Sequence, residues 1–249
     1  MIGIGSGLSG LSGLSGMVGH KSTLLNGLVA YWPLTEASGD RSDLGPNGYT
    51  LTPTGTPLPG NDTGLVYPTA ATFLRSSDDD GLTNSTAPKD WWVGKSFTIA
   101  AWVYLTSYPD SSPLYTYIDE QCSWGGGYAL FVTGFALCMR LHYLGTTMVT
   151  HAPSDADSWH LNTWYLCRGW YDFDAQTDNS QVNLFAKDTQ SFTTAPLSVT
   201  EPLYIGRDNL SAGKTWDGKI GPVGHWSRVL TDAEWTSLYN AGAGKKYPF

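Results

Sequence analysis

Alternating apolar and polar positions predict β-strands along most of the chain. In the stretch 137–143, apolar residues occupy the odd positions and the even positions include Arg140 and His142, which is typical of a strand with one buried face. The stretch 96–105 is apolar at both parities, so it predicts a central strand covered on both sides. Such segments are short and closely spaced, with turn residues between them. The pattern therefore favours a β-sandwich, with Arg140 and His142 as candidates for lining its concave side.

One helix is predicted close to the C-terminus. Thr231 is followed three residues later by Glu234, which is the spacing of a capping box. Trp235 and Leu238 then follow at helical spacing, and Gly242 is a suitable stop signal. We expect this short amphipathic helix to pack against the sandwich.

Near the N-terminus, glycine recurs at every third position, a period that fits neither a helix nor a strand. It fits an extended helix with three residues per turn and a rise of about 3.1 Å, in which glycines line one edge and leucines another. Such a helix has no internal hydrogen bonds, so we expect order only when other copies or another protein cover it. The residues of this predicted contact are Gly7, Leu8, Gly10, Leu11, Gly13, Leu14, Gly16 and Met17.

The domain organisation follows from this repeat. Residues 1–23 are interpreted as an assembly or anchoring arm, and residues 24–249 as one domain. The arm predicts a homo-oligomer, with a trimer favoured by the triplet period, and attachment to a larger protein assembly. A flexible linker and an expression scar remain alternatives. A signal peptide is disfavoured because the segment has no basic start and glycine interrupts every apolar run.

Composition excludes several classes of partner. The net charge of −8 argues against nucleic acid or an anionic membrane as the main partner, since both require a basic patch. No apolar run approaches the roughly 18 residues of a membrane span. The three cysteines are odd in number and irregularly spaced, so they predict no disulfide framework, and Cys138 and Cys167 are expected to be buried thiols.

Catalytic patterns are missing from the sequence, which predicts a protein that is not an enzyme. No strand carries carboxylates at alternate positions in the Glu-x-Asp-x-Glu manner, and neither GxSxG nor HExxH occurs. Asp119 and Glu120 are adjacent, so in a strand they would point to opposite faces. Asp172 and Asp174 alternate, but they lie where a strand runs into a turn, so turn chemistry explains them better.

Six segments, taken in order, resemble the successive strands and final helix of laminin-G-like, concanavalin-A-like jelly-roll domains. The resemblance spans residues 28–244 and implies an all-β jelly-roll sandwich with one short C-terminal helix. The fold hosts many functions, so the resemblance is specific for architecture more than for activity. The segments are LVAYWPL at 28–34, SFTIAAWVYL at 96–105, NTWYLCRGWYD at 162–172, VNLFAKD at 182–188, LYIG at 203–206, and the strand and helix at 216–242.

The same resemblance raises the question of calcium. Members of this family often hold a structural calcium between the first loop and an acidic pair in the last strand, and Asp43 and Asn47 match the loop. The last strand departs from the family, because Gly221 and Pro222 stand where relatives commonly have Asp and Glu. Asp217 lies nearby in sequence and is a candidate substitute. No cofactor is required by this interpretation, and calcium is possible.

Sugar binding needs exposed aromatic rings beside polar groups. Trp91, Trp92, Trp124 and Trp159 lie in predicted loops and are candidates by residue type. For any single one of these rings we favour the alternative, that it folds back over the rim of the sandwich and belongs to the core.

Two hypotheses for function remain. The first is a structural surface protein that resembles bacteriophage virion components, such as head-decoration or tail-fibre proteins, with the arm as anchor and a lectin-like domain on the virion surface. The second is a secreted or cell-surface carbohydrate-binding module, which would be extracellular and would bind glycans.

Overall fold

The computed structural model describes residues 23–55, 60–75, 80–86, 91–108, 115–123, 125–133, 136–144, 146–153, 159–208 and 214–249. Within these ranges the chain forms two antiparallel sheets and one α-helix, as the sequence predicts. The strands are β1 Leu28–Trp32, β2 Thr52–Thr54, β3 Gly60–Thr63, β4 Thr69–Phe73, β5 Gly81–Asn84, β6 Phe97–Leu105, β7 Tyr115–Ser123, β8 Gly126–Thr133, β9 Ala136–Tyr143, β10 Thr146–Pro153, β11 Trp164–Asp172, β12 Thr177–Val182, β13 Asp188–Ser191, β14 Leu203–Ile205 and β15 Gly218–Trp226, and the helix is α1 Asp232–Tyr239.

The sheets have eight and seven strands. The eight-stranded sheet runs β13-β12-β11-β6-β15-β4-β3, with β1 also paired to β15, and the seven-stranded sheet runs β10-β9-β8-β7-β14-β5-β2. Strand β15 pairs with β4 over its first three residues and with β1 from Val223 onward. The register shifts between Ile220 and Val223. Gly221 and Pro222, the departure from the family pattern, therefore stand where the strand changes partner, a position that tolerates a missing N–H.

The inter-sheet core explains why β6 is apolar on both faces. Its residues Ile99 and Val103 are fully buried in the core between the sheets. Trp102, on the other face, is buried in a second cluster together with Trp235 and Leu238 of α1. Strand β6 lies between β11 and β15, so the prediction of a central, doubly covered strand is confirmed.

The helix packs on the outside of the eight-stranded sheet. Beneath it Arg168 is 1% exposed and donates to Asp232 Oδ1 at 2.9 Å and to the Leu230 carbonyl at 3.2 Å. Its guanidinium lies 4.4 Å from the Trp170 ring and 4.7 Å from the Trp235 ring. The molecule is thus layered as helix, eight-stranded sheet, core and seven-stranded sheet.

The predicted capping box is present at the start of α1. Thr231 Oγ1 accepts the Glu234 N–H at 3.2 Å, and Glu234 Oε2 accepts the Thr231 N–H at 2.9 Å. The predicted stop is displaced, because the helix ends at Tyr239 and Asn240 is the left-handed cap with φ 48°. Asparagine adopts this conformation more readily than most residues, so it ends the helix before Gly242 is reached.

The predicted strand over 182–188 is wrong. Strand β12 ends at Val182, and β13 begins only at Asp188. Asn183 has φ 47°, and its side-chain carbonyl accepts the Leu166 N–H at 2.9 Å, which turns the chain away from the sheet. Leu184 and Phe185 are consequently exposed, so the apolar residues that suggested a strand belong to the connection.

Gly126 and Gly127 belong to a strand, although a run of glycines in a sequence is more typical of a loop. Strand β8 begins at Gly126, and Gly127 pairs with Cys122 of β7 and His142 of β9. Gly127 has φ 93°, and a Cβ atom there would overlap the Gln121 carbonyl. Only glycine fits this close approach.

Candidate functional site

Three of the four tryptophans predicted as sugar platforms lie in the core. Trp91, Trp92 and Trp159 are 8%, 0% and 1% exposed. Trp91 packs edge-to-face on Trp92, and Trp159 does so on Tyr165 at 4.5 Å between ring centroids. The loops that carry these rings fold back over the rim, so the rings are not available for stacking from solvent. Trp124 lies outside the described residues.

The three predicted calcium ligands do not come together. Asp43 Oδ1 accepts the backbone N–H groups of Tyr31 and Gly45, at 2.8 and 2.6 Å, and its Oδ2 accepts that of Tyr49 at 2.9 Å. The side chain of Asn47 donates to the Val29 carbonyl at 2.7 Å. The two residues therefore stabilise the loop after β1.

Asp217 is at the far end of β15 from that loop. Tyr31 pairs with Gly224, seven residues from Asp217, a separation of roughly 23 Å at about 3.3 Å per strand residue. Asp217 accepts a hydrogen bond from the Ser107 hydroxyl. Within the described part of the chain, no cluster of three or more His, Cys, Asp or Glu side chains is arranged to hold a metal. The predicted ligand set does not fit calcium, and calcium binding elsewhere stays a prediction.

The candidate carboxylates are not arranged for hydrolysis. Asp119 Oδ2 lies 2.7 Å from His225 Nε2, and this pair is sealed between the two sheets. Glu120 points to the other face, towards Cys122. Asp172 Oδ1 accepts the N–H groups of Asp174 and Ala175 at 3.1 and 3.0 Å, which is the predicted turn role. Among the described residues, no two of these carboxylates face one another across a cleft that could hold a substrate.

We use the name outer face for the side of the seven-stranded sheet turned away from the core, which carries Tyr117, Phe131, Arg140, His142 and Tyr204. The Tyr117 and Phe131 rings stack at 5.3 Å. The Arg140 guanidinium lies 4.4 Å above Phe131 and donates to the Tyr117 hydroxyl at 3.1 Å. Among the described residues, no helix packs on this face. Tyr117, Phe131 and His142 are 2%, 1% and 8% exposed, whereas Arg140 and Tyr204 are half-buried and reach the surface.

Basic side chains extend this face across the neighbouring strands. The Arg207 guanidinium lies 5.5 Å from the half-buried Tyr204 ring. Lys214 Nζ lies 5.9 Å from the Tyr117 ring and pairs with Asp208 Oδ2 at 2.9 Å. The outer face therefore combines aromatic rings with charged hydrogen-bonding groups. Sequence reasoning missed Tyr204, although its place between core residues Leu203 and Ile205 was the available signal.

His142 is neutral on this face. Burial, and secondly the charge of Arg140, lower the pKa of His142 to about 4. Its Nδ1 lies 3.4 Å from the Thr147 hydroxyl. The ring is therefore a hydrogen-bonding group without charge at neutral pH.

The arm joins the domain on the side of the sandwich opposite to the outer face. Residues 1–22, which include all eight predicted arm contacts, lie outside the described residues, and Thr23 begins a single 3-10 turn. Arg228 donates to the carbonyls of Thr23 and Asn26 at 2.9 and 2.7 Å. It also holds both oxygens of Glu234 at 2.7 and 2.8 Å. The attachment point of the arm is thus fixed against the first turn of α1.

Two open cavities lie beside α1 and share Ala233 and Ser237. The first, about 590 Å³, is also lined by Thr23 and Arg228. The second, about 490 Å³, is also lined by Thr236, Asn240, Ala241 and Lys245. They form one groove, which we call the helix groove. Among the described residues, no helix is long and apolar enough to span a membrane.

Residues 77–234 match the family described as the concanavalin A-like lectin/glucanases superfamily, Laminin_G_3. The match covers more than half of the 249 residues. The chain therefore belongs to this superfamily, and the fold is lectin-like. No curated protein matches the chain.

Similar solved structures include binding domains of toxins. The binding domain of Paraclostridial Mosquitocidal Protein 1 has a TM-score of 0.70 at 14% identity, with 88% of this chain and 53% of that chain covered. The botulinum neurotoxin serotype D binding domain has a TM-score of 0.66 at 12% identity, with 87% and 52% covered. The chain thus spans about half the length of these binding domains.

A third similar structure is a single domain of an arabinanase. Domain 4 of AbnA, a GH43 extracellular arabinanase from Geobacillus stearothermophilus, in complex with arabinotriose, has a TM-score of 0.58 at 14% identity. The match covers 84% of this chain and 97% of that domain. At such low identities these likenesses establish the fold alone.

Proposed function

We propose that the protein is a non-catalytic display module, a structural component of a virion surface such as a head-decoration or tail-fibre protein, which is anchored by its arm and presents a lectin-like domain to glycans. One observation carries this proposal. The arm attachment point at Thr23 lies on the helix-covered side of the sandwich, and the outer face lies on the opposite side. If the arm attaches the domain to a larger assembly, the outer face therefore points away from that assembly.

The arm supports the anchoring part of the proposal. From Met1 to Gly19 it carries no charged side chain, and its leucines recur every three residues. Leaving each such side chain in water forgoes about 1.5–3 kcal/mol, so association with a matching surface is favoured. The virion setting rests on the resemblance of the sequence to phage surface proteins.

The outer face supports the recognition part. Sugars stack their C–H faces on aromatic rings and exchange hydrogen bonds through their hydroxyls. Tyr204 supplies a half-buried ring, and Arg207 and Arg140 supply donors on the same side of the sheet. These residues replace the buried tryptophans as the candidate sugar contacts.

The placement of the carboxylates supports a non-catalytic role. Retaining and inverting glycosidases both need two carboxyl groups on either side of one bond. Asp119 is sealed against His225 between the sheets, while Glu120 lies on the opposite side of β7.

A secreted or cell-surface carbohydrate-binding module is the second candidate. It is favoured by the match to nearly the whole of AbnA domain 4, a structure in complex with arabinotriose. This alternative also uses the outer face but needs no arm-mediated assembly, so the mass of the protein in solution separates the two.

The recognition part is tested by binding of the full chain to a glycan array, followed by titration of any glycan that binds. Tyr204→Ala should weaken binding at least about tenfold, equivalent to about 1.4 kcal/mol. Tyr104→Ala is the matched control, because Tyr104 is also half-buried beneath a cation, with Lys219 Nζ at 5.1 Å, but lies on the other sheet. Equal loss in both variants, or binding to no glycan, would contradict recognition by the outer face.

A further inference from the structure

We infer that the helix groove receives the Gly-triplet arm of a neighbouring copy of this chain, an inference that rests on the proposed anchoring function and specifies where the arm binds. The groove is built around the outward side of α1. Trp235 and Leu238 face the sheet, whereas Ala233, Thr236 and Asn240 are exposed. The structure thus leaves one side of this helix without a partner among the described residues.

The shape of the groove suits an extended chain. Its two cavities, about 590 and 490 Å³, share Ala233 and Ser237 in their linings, so they adjoin one another along the helix. The side chains at the meeting point are small, which permits close approach of a backbone. A glycine edge presents a backbone with no side chain in the way.

The chemistry of the arm and the groove is complementary. An extended three-fold helix satisfies none of its own N–H and C=O groups. Thr236, Ser237 and Asn240 line the groove with hydroxyl and amide groups that can bond to such a backbone. Residues 1–19 have no charged side chain, so the arm brings no unpaired charge into the groove.

The position and length of the arm favour a neighbouring copy as the occupant. Thr23, where the arm begins, lines the groove itself, so each attachment point is next to a groove. From Leu8 to Thr23 the arm can extend about 47 Å at about 3.1 Å per residue, whereas the eight residues of α1 span about 12 Å. The arm is long enough to reach the groove of an adjacent copy. Exchange of arms between copies links them, whereas docking on the same chain would not.

Cysteine cross-linking between two differently marked chains tests this inference. Leu11→Cys is placed in one chain and Thr236→Cys in another, and the two are co-assembled and oxidised. The native Cys122, Cys138 and Cys167 are buried and should not react. The matched control replaces Thr236→Cys by Thr147→Cys, an exposed threonine on the outer face.

The expected result is a shift of the Leu11→Cys and Thr236→Cys pair from 27.0 kDa to twice that mass on a non-reducing gel, and no shift with Thr147→Cys. Equal shifts in both mixtures would overturn the inference. A second experiment places Leu11→Cys and Thr236→Cys in the same chain and mixes that chain with an excess of wild-type chains. A disulfide closed within that chain would show that the arm occupies its own groove, and would also overturn the inference.

A blocking variant gives a readout that does not depend on disulfide formation. Ala233→Trp fills the meeting point of the two cavities, and it should lower the mass of the native oligomer without lowering the melting temperature. Thr147→Trp is the control and should leave the mass unchanged. An unchanged mass for Ala233→Trp would place the arm elsewhere while leaving the anchoring proposal intact. A wild-type chain that is monomeric would instead remove the anchoring proposal itself.

Discussion

At the scale of single residues, Asp178 is the clearest case of a side chain that opposes folding. It is fully buried on the core side of β12, and neither carboxylate oxygen makes a hydrogen bond of ordinary geometry within the described residues. Burial raises the pKa of Asp178 well above its usual range, against a smaller lowering effect of the Asn179 backbone. The folded state therefore holds a proton that the unfolded chain releases above about pH 4, and this group reduces stability as the pH rises.

Asp178→Asn should consequently raise the free energy of unfolding at pH 8, by about 1.4 kcal/mol for each unit by which folding raises the pKa of Asp178, because asparagine has no proton for the unfolded chain to release. The gain should shrink towards pH 4, where the unfolded carboxyl also becomes protonated. Urea unfolding at both pH values measures this, with Asp174→Asn in the exposed turn as the control. A gain that is the same at both pH values would show that the carboxyl does not titrate on unfolding.

His142 should make the protein sensitive to mild acid. Because burial lowers the pKa of His142 to about 4, the unfolded chain binds a proton in the range where the folded state does not. Stability contributed by the neutral ring is complete above about pH 6.5 and is lost as the pH falls towards 4. His142→Gln should reduce the change of melting temperature between pH 6.5 and pH 4. His160→Gln, at an exposed position, is the control. Identical pH profiles for the wild type and His142→Gln would contradict this account.

The residue scale is also where sequence reasoning was least reliable. Tryptophans in loops were the natural candidates for sugar contacts, but Trp92 and Trp159 contribute to the core instead. Whether a loop ring faces solvent depends on which strands the loop crosses, and a single sequence does not contain that information. Asp172 was predicted correctly because a turn carboxylate bonds to backbone groups only two and three residues away.

At the scale of elements, features set by residues close in sequence were predicted correctly, whereas a connection that depends on distant contacts was not. The capping box at Thr231 and Glu234 is complete within four residues, so sequence spacing alone specifies it. The turn at Asn183 depends on its bond to Leu166 of the neighbouring strand, a contact between residues distant in sequence. Because Leu184 and Phe185 are apolar, the sequence predicts a strand where the structure has a connection.

Removing the cap should destabilise the domain measurably. Thr231→Ala should lower the free energy of unfolding by about 0.5–2 kcal/mol, because the Glu234 N–H loses its acceptor. Thr236→Ala is the control, since Thr236 is exposed within the same helix and bonds back to the Asp232 carbonyl. Chemical denaturation of both variants measures the difference. Equal stabilities would mean that this cap adds nothing to the packed helix.

The cap also has an expected pH dependence. Burial alone would raise the pKa of Glu234, but hydrogen bonds from Arg228 and from the Thr231 N–H outweigh it and lower the pKa to about 2. The carboxylate therefore contributes stability that is present above its ordinary pKa of about 4.3 and is lost as the pH falls towards 2. The difference in free energy of unfolding between Glu234→Gln and the wild type, measured by chemical denaturation, should therefore shrink over that range.

At the scale of the whole molecule, the family resemblance of six segments was enough to predict the sandwich, although only five of the six form the predicted strands and helix. The arrangement of the candidate site was not predictable. That the arm attaches on one side and the outer face lies on the other depends on sheet order and on where α1 packs. Both result from contacts between segments far apart in the chain.

The most direct test of the display account is the mass of the full chain in solution, measured by light scattering after size-exclusion chromatography. The account predicts that the wild type forms a multiple of 27.0 kDa, with three copies favoured, and that replacing Leu8, Leu11 and Leu14 together by serine gives 27.0 kDa with an unchanged melting temperature. Replacing Ser9, Ser12 and Ser15 by threonine is the matched control on another edge of the arm. A monomeric wild type, or a serine variant that keeps the mass of the wild type, would contradict the account.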